Sequence, residues 1–419
     1  MTASTDIHAR ITAVLDGRFP NNKRGLNHLS QLLIEYVKAD IGPPHFIAEL
    51  QTCDEYKLWS CIWEAMLYRH LRTQGYELIG VTKHAGQHGP DFCVKHEGQT
   101  IWIEAVVPSP NGIPADYLTP PVLDGGVRVK TKPDKERVLR CTSVIADKRL
   151  KLNTYREKGI IGAGDCVIIA VNICRLSDWD VDGNGVSQYP LSMEAVFPIG
   201  PLAVPLTPCG KIDGPAQNVP RFSVRKSSGK EIGTTNFLSP DFAGVSAVMQ
   251  AHQRYMHEGN LTLFTIHNPL AVNKLPTGLF GSSKEFVAKE DDDKYQIIDV
   301  RLRERLRELV ESVTLRFGRG EGRVIRTLTA AEAGDFVGEF GKCHDNVNHW
   351  CFAHCDHSPV RGWLTSGDCA FDKHSLISFA DGELVDITST PDEARRTFLP
   401  HDGTEDEFIN LPNQIVSAR

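Results

Sequence analysis

Short apolar runs and long apolar-faced stretches alternate along the chain, and their order outlines a fold. Residues 54–74 carry Tyr56, Leu58, Trp59, Ile62, Trp63, Met66, Leu67, Tyr68 and Leu71. Side chains of this kind nearly all round a helix predict a buried one. Tyr76 to Thr82, Asp91 to Lys95 and Thr100 to Val107 then read as three strands. His96-Glu97-Gly98-Gln99, between the last two, can close a hairpin. Pro133 to Lys158 predicts a second long helix, with Leu139, Val144, Ile145, Leu150 and Leu152 as its apolar set. Cys166 to Ile173 is apolar almost throughout, the pattern of a strand covered on both faces. The order is helix, strand, strand, strand, helix, strand.

The flanking regions are less regular. Residues 1–50 contain one amphipathic helix, near Leu26 to Ile41, read as an appendage. Residues 108–132 are rich in Pro and Gly and form a long loop, of the length that is often functional; it could close over whatever the preceding strand carries. Residues 176–245 read as irregular with short strands, Val245 to His257 as a short helix, and Leu261 to Ile266 as a strand. Glu290 to Lys294 is a solvated charge run. Ile297 to Phe317 is a charged helix, and Gly318-Arg-Gly-Glu-Gly322 a flexible break where a domain boundary is expected. The expected division is 1–50, 51–288, a helical linker at 289–322, and a small α+β domain at 323–419.

Three carboxylates stand out in this frame. Asp91 follows Pro90, Glu104 lies in the third strand, and Glu64 sits in the middle of the apolar helix. A buried Glu needs a partner or must lose its charge. The hairpin would set Asp91 beside Glu104, where they repel unless a cation lies between them. Oxygen ligands of this kind suit Mg²⁺ or Mn²⁺. As an isolated pair they read equally well as ordinary strand-end carboxylates.

The element order with acids at Glu64, Pro90-Asp91 and Glu104 resembles the restriction-endonuclease-like, or PD-(D/E)xK, nuclease core, an α/β fold of αβββαβ order. The resemblance covers roughly residues 54–175. It implies phosphodiester hydrolysis of DNA, or of RNA, with Asp91, Glu104 and Glu64 around the metal. It departs from the family at position 106, where Val106 replaces the Lys that orients the attacking water. Some members supply that cation from the next helix, and Lys148 and Arg149 are the expected sources here. A degenerate domain that only binds nucleic acid is the alternative implied by Val106. Nucleases of this kind that cut both strands often act as dimers, so a homodimer is among the expected partners.

Charge adds one point in favour. The chain of 419 residues has net charge −7, yet residues 128–158 hold eleven Lys or Arg against four Asp or Glu. A basic strip beside a metal site suits a phosphate backbone, with Arg128, Lys130, Lys132, Arg140 and Arg149 as expected contacts. The same strip also reads as a solvated helix face. No run of eighteen apolar residues exists, so no membrane span is expected. Eleven scattered cysteines without a leader pattern predict reduced thiols and a cytoplasmic protein.

The last hundred residues pose a separate question. Cys343 opens a predicted helix ending near Ala353, His374 begins a strand, and Asp386 lies on the next strand after an Asp381-Gly382 turn. A Cys at a helix N-terminus has its thiolate favoured. This order resembles transglutaminase-like and other papain-like cysteine enzymes, which implies Cys343 as nucleophile, His374 as base and Asp386 as its orienter. Register decides the matter. A two-residue turn would point Asp386 away from His374, whereas a three-residue loop or a bulge would turn it back. A zinc site from Cys343, Cys351, Cys355, Cys369 and neighbouring histidines is disfavoured, since the paired C-x₂-C knuckles are missing. A small domain with buried thiols and a structural His is the plainer reading.

Overall fold

The computed structural model describes residues 2–18, 23–42, 45–52, 54–80, 89–119, 131–177, 183–254, 261–291, 294–338, 342–365, 370–388, 397–409 and 411–416. It is a mixed α/β structure of two compact units, Met1–Arg301 and Leu302–Arg419. The division therefore falls at residue 301, short of the Gly-rich break expected at 318–322.

In the first unit, α1 (Thr2–Arg18), α2 (Lys23–Lys38), α3 (Phe46–Leu50) and α4 (Glu55–Thr73) precede the sheet. Strands β1 (Leu78–Gly80), β2 (Phe92–His96) and β3 (Gln99–Val106) follow, then α5 (Ala115–Leu118), α6 (Asp134–Glu157), β4 (Cys166–Asn172) and α7 (Leu191–Val196). Two small hairpins come next, β5 (Ile199–Ala203) with β6 (Gln217–Pro220), and β7 (Ser223–Arg225) with β8 (Glu231–Gly233). The unit closes with β9 (Ala247–Ala251), β10 (Phe264–His267), β11 (Lys284–Asp291) and β12 (Lys294–Asp299).

One eight-stranded sheet runs β1-β2-β3-β4-β9-β10-β11-β12. The first three strands are an antiparallel meander, and β4 lies parallel to β3, the arrangement that the crossover helix α6 requires. Glu97 and Gly98 both have positive φ, 48° and 81°, so the β2–β3 hairpin closes on a two-residue turn that fixes its register. Every residue of β4 is buried. On one face Ile101, Ile103 and Ile168 pack with α4 and the N-terminal helices; on the other Trp102, Val106, Val167 and Ile169 pack with α6 and α7.

The α4 helix starts where Asp54 accepts the Tyr56 N–H at 2.8 Å, an N-cap that satisfies one orphan donor. Trp63 is 1 % exposed and its indole N–H donates to the Ala170 carbonyl at 3.0 Å. Trp63→Phe keeps most of the volume but leaves that carbonyl without its donor. It should cost about 1–3 kcal/mol in a urea titration.

Three expectations are corrected. The segment after Val245 is β9, a central strand, and not a helix. Ala-Val-Met-Gln-Ala has good helix formers, but an apolar run this short carries no period that separates helix from strand. The neighbours β4 and β10 decide it. The N-terminal fifty residues are not an appendage, since Ile11, Leu15, Leu33 and Tyr36 belong to the main core. The charged helix begins only at Val300, because Ile297 and its neighbours complete β12.

The second unit opens with α8 (Val300–Gly318), whose Val313 packs with Trp363 and Phe371. It contains β13 (Arg323–Val324), β14 (Arg326–Thr327), α9 (Ala330–Ala333), α10 (Cys343–Ala353), β15 (Ser358–Thr365), β16 (Ala370–Ser378), β17 (Leu384–Asp386), β18 (Thr397–Pro400), α11 (Glu405–Ile409) and β19 (Gln414–Val416). Its sheet runs β13-β18-β15-β16-β17-β14, with β19 added to β16. Val347 and Trp350 of α10 pack on Ile377 and Val385.

Candidate functional site

The carboxylate cluster of the first unit is assembled by β2, β3, α4 and α6. Asp91 enters β2, and its Oδ2 accepts the Ala105 N–H at 2.7 Å, which ties it to the strand carrying Glu104. Glu104 is fully buried. Its Oε1 accepts from Lys148 at 2.6 Å and from Lys151 at 2.7 Å, both on α6. Its Oε2 has no hydrogen-bond partner among the described residues. On α4, Glu64 Oε2 accepts from the Tyr36 hydroxyl at 3.3 Å.

Burial and mutual repulsion shape the electrostatics. Burial, followed by the charge of Glu104, pushes the Asp91 carboxyl up to about 7, against the pull of Lys148 and Lys151. Burial, then Asp91, holds Glu64 well above the usual carboxylate range. For both lysines burial acts downward, but Glu104 and Asp91 outweigh it and raise their pKa. Three carboxylates therefore share one electrostatic environment, with two ammonium groups as counter-charge.

Val106 is 3 % exposed within the α6 face of the core. A lysine there would have to bury its charge, and the cation comes from α6 instead. The sequence reading picks out Lys148 but misses Lys151, one turn further on the same face, and Tyr36. The i, i+3 spacing of the two lysines is the signal that could have found the second. Arg149 is directed elsewhere: it donates to the Asp241 carbonyl at 2.8 Å and lies over the Phe242 ring. Lys132 donates to the Asn184 carbonyl at 2.8 Å. Arg140 is partly buried on α6. Arg128 and Lys130 lie outside the described residues, with the rest of 120–130 in the Pro/Gly-rich loop. Among the described residues no three His, Cys, Asp or Glu side chains converge as a ready ligand set for a metal, and no helix is long and apolar enough to cross a membrane.

The second unit brings together the three residues singled out there. Residues 378 and 384 pair across β16 and β17, and the Phe379 N–H donates to the Glu383 carbonyl at 2.9 Å. The loop is therefore three residues, Ala380 to Gly382, with Gly382 at φ 83°. This moves Asp386 onto the His374 face. His374 Nε2 lies 2.8 Å from Asp386 Oδ2, and Asp386 Oδ1 accepts the Thr388 N–H at 2.9 Å.

Cys343 begins α10, and its Sγ lies 3.8 Å from His344 Nδ1, with His374 close enough to act on its charge. Burial alone would raise its pKa, but those two imidazoles bring it down to about 6. Burial would lower the pKa of His374, yet Asp386 and Cys343 raise it to about 9. Cys351 and Cys355 carry free thiols, and Cys369 lies outside the described residues. Ser375 accepts from Arg361 at 2.8 Å and is hydrogen-bonded to His344. Comparison of the chain with protein-family models, with curated proteins and with solved structures found no match.

Proposed function

We propose that the first unit hydrolyses phosphodiester bonds of DNA, or of RNA, with Mg²⁺ or Mn²⁺, as restriction-endonuclease-like nucleases do. The observation that carries this reading is Lys148 on Glu104 beside Asp91, a cation supplied from α6 where Val106 cannot supply one. The αβββαβ order of α4, β1, β2, β3, α6 and β4, with β4 parallel to β3, supports it.

Two of these carboxylates, Asp91 and Glu104, offer oxygens of the kind a hard divalent ion takes. Glu104 Oε2 is buried without a partner among the described residues, and burial, then the charge of Glu104, raises the Asp91 carboxyl, a penalty that such an ion would relieve. Asp91 and Glu104 would hold the ion; Glu64 would hold it or a water bound to it. A bound ion supplies a water of lowered pKa and polarises the phosphoryl oxygen. Lys148 keeps Glu104 oriented and offers positive charge to the phosphoryl oxygens as they gain charge. Tyr36 holds Glu64 in place through its hydroxyl.

The test is incubation of the full chain with plasmid, single-stranded DNA and RNA in Mg²⁺, Mn²⁺ or EDTA. Metal-dependent cleavage is the expected result. Salt-sensitive binding with no cleavage in any metal would leave a domain that only binds nucleic acid.

A second reading rests on the Cys343, His374 and Asp386 geometry of the second unit. The thiolate would attack a carbonyl carbon to form a thioester. His374 would pass a proton to the departing amine, and water or an acceptor amine would then take the acyl group. Asp386 holds the imidazole through Nε2, which leaves Nδ1 for Cys343.

A further inference from the structure

Two ammonium groups converge on one carboxylate oxygen while its other oxygen, fully buried, has none. Lys148 and Lys151 both donate to Glu104 Oε1, at 2.6 and 2.7 Å. They differ in setting. The Lys148 side chain is 19 % exposed and that of Lys151 46 %. The Lys151 ammonium also sits 5.5 Å from the Tyr155 ring centroid, on the half-exposed side of α6. One lysine suffices to orient Glu104. A second, within reach of solvent, has charge to spare for an anion that enters from outside.

We propose that Lys151 is the phosphate-receiving residue of this site, and that it leaves Glu104 when a nucleic-acid phosphate arrives, while Lys148 stays. This deepens the nuclease reading and rests on it. With both lysines on Glu104, the carboxylate is over-neutralised and holds a divalent cation poorly. With Lys151 turned to a phosphate, Glu104 regains net negative charge. Phosphate and metal then bind with positive coupling, and by linkage each tightens the other to the same extent. The exposed lysine thus keeps the metal site weak until a backbone is in place.

The experiment measures two binding equilibria of the full chain, neither of which needs turnover. The first is the affinity for a short DNA duplex in EDTA as a function of salt. The second is Mn²⁺ affinity, read from the free-ion electron paramagnetic resonance signal, with and without that duplex. In the unsubstituted protein the duplex should tighten Mn²⁺ binding by roughly tenfold, within the usual range of coupling between two sites. Lys151→Met should lower the slope of log affinity against log salt by about one. It should also tighten Mn²⁺ binding in the absence of DNA and abolish the coupling. Lys151→Arg should restore the slope, which separates charge from packing. Lys148→Met, which leaves Lys151 in place, should lower the slope less than Lys151→Met does. The proposal is overturned if Lys151→Met alters neither the salt slope nor the coupling while the unsubstituted protein binds both partners. If the unsubstituted protein binds neither duplex nor Mn²⁺, the nuclease reading fails and this inference falls with it.

Discussion

Asp91→Asn should abolish metal-dependent cleavage and, at the same time, stabilise the metal-free protein. The expected loss of activity follows from its tie to the Ala105 N–H, next to Glu104 on β3. Removing a negative ligand from a divalent site should lower the rate by at least about 10²-fold. The gain in stability has a separate origin. A carboxyl pushed up to about 7 by burial and by Glu104 binds protons more tightly in the folded state than its ordinary value of 3.8 allows in the unfolded chain. The sign follows from linkage. Between these values the folded state holds more protons, so stability is lost as pH rises through that window, and the full penalty applies above about 7. Because Glu64 and Glu104 share the repulsion, about 2 kcal/mol is expected for Asp91 alone. Asparagine keeps an acceptor for Ala105 and carries no charge. Thermal unfolding in EDTA at pH 8 should therefore show a higher midpoint for the variant. The difference should shrink at pH 5 and on adding Mn²⁺, which only the unsubstituted protein binds well.

The second large effect concerns the thiol. At pH 7 a thiol with a pKa of about 6 is mostly thiolate, and iodoacetamide should label Cys343 faster than Cys351 or Cys355. His374→Ala removes one of the two imidazoles that hold the pKa down. Burial, the largest single influence on Cys343, then acts with less opposition. If the thiol returns to about 9, its thiolate fraction at pH 7 falls by roughly two orders of magnitude, and the labelling rate with it. The same pair stabilises the fold over a defined window. The depressed thiol contributes fully above 9 and loses this as pH falls through about 6. The raised imidazole contributes fully below 6.5 and loses this as pH rises through about 9. Labelling of Cys343 no faster than of the other thiols would remove the second reading.

The elements, and the side chains they bring together, were legible in the sequence to the extent that they follow from local pattern. The apolar helix from Asp54, the Glu97-Gly98 turn and the uninterrupted run at Cys166 each have one dominant solution, and the structure adopts it. What escaped depends on tertiary neighbours. The β9 strand has the composition of a helix and becomes a strand because β4 and β10 flank it. Tyr36 reaches Glu64 from a helix 28 residues earlier. Lys151 looks like any surface lysine until the fold sets Glu104 beneath it. The direction of Asp386 turned on a single residue of loop length, resolved by Gly382 at positive φ. Ile297 to Asp299 read as helix because only pairing with β11 draws them into the sheet.

The most direct measurement is anomalous diffraction from crystals soaked in Mn²⁺. The account predicts a peak at about 2.0–2.3 Å from Asp91 and from Glu104 Oε2, with Glu64 bound directly or through a water. No peak at these carboxylates under saturating Mn²⁺, with Lys148 and Lys151 still on Glu104, would contradict it.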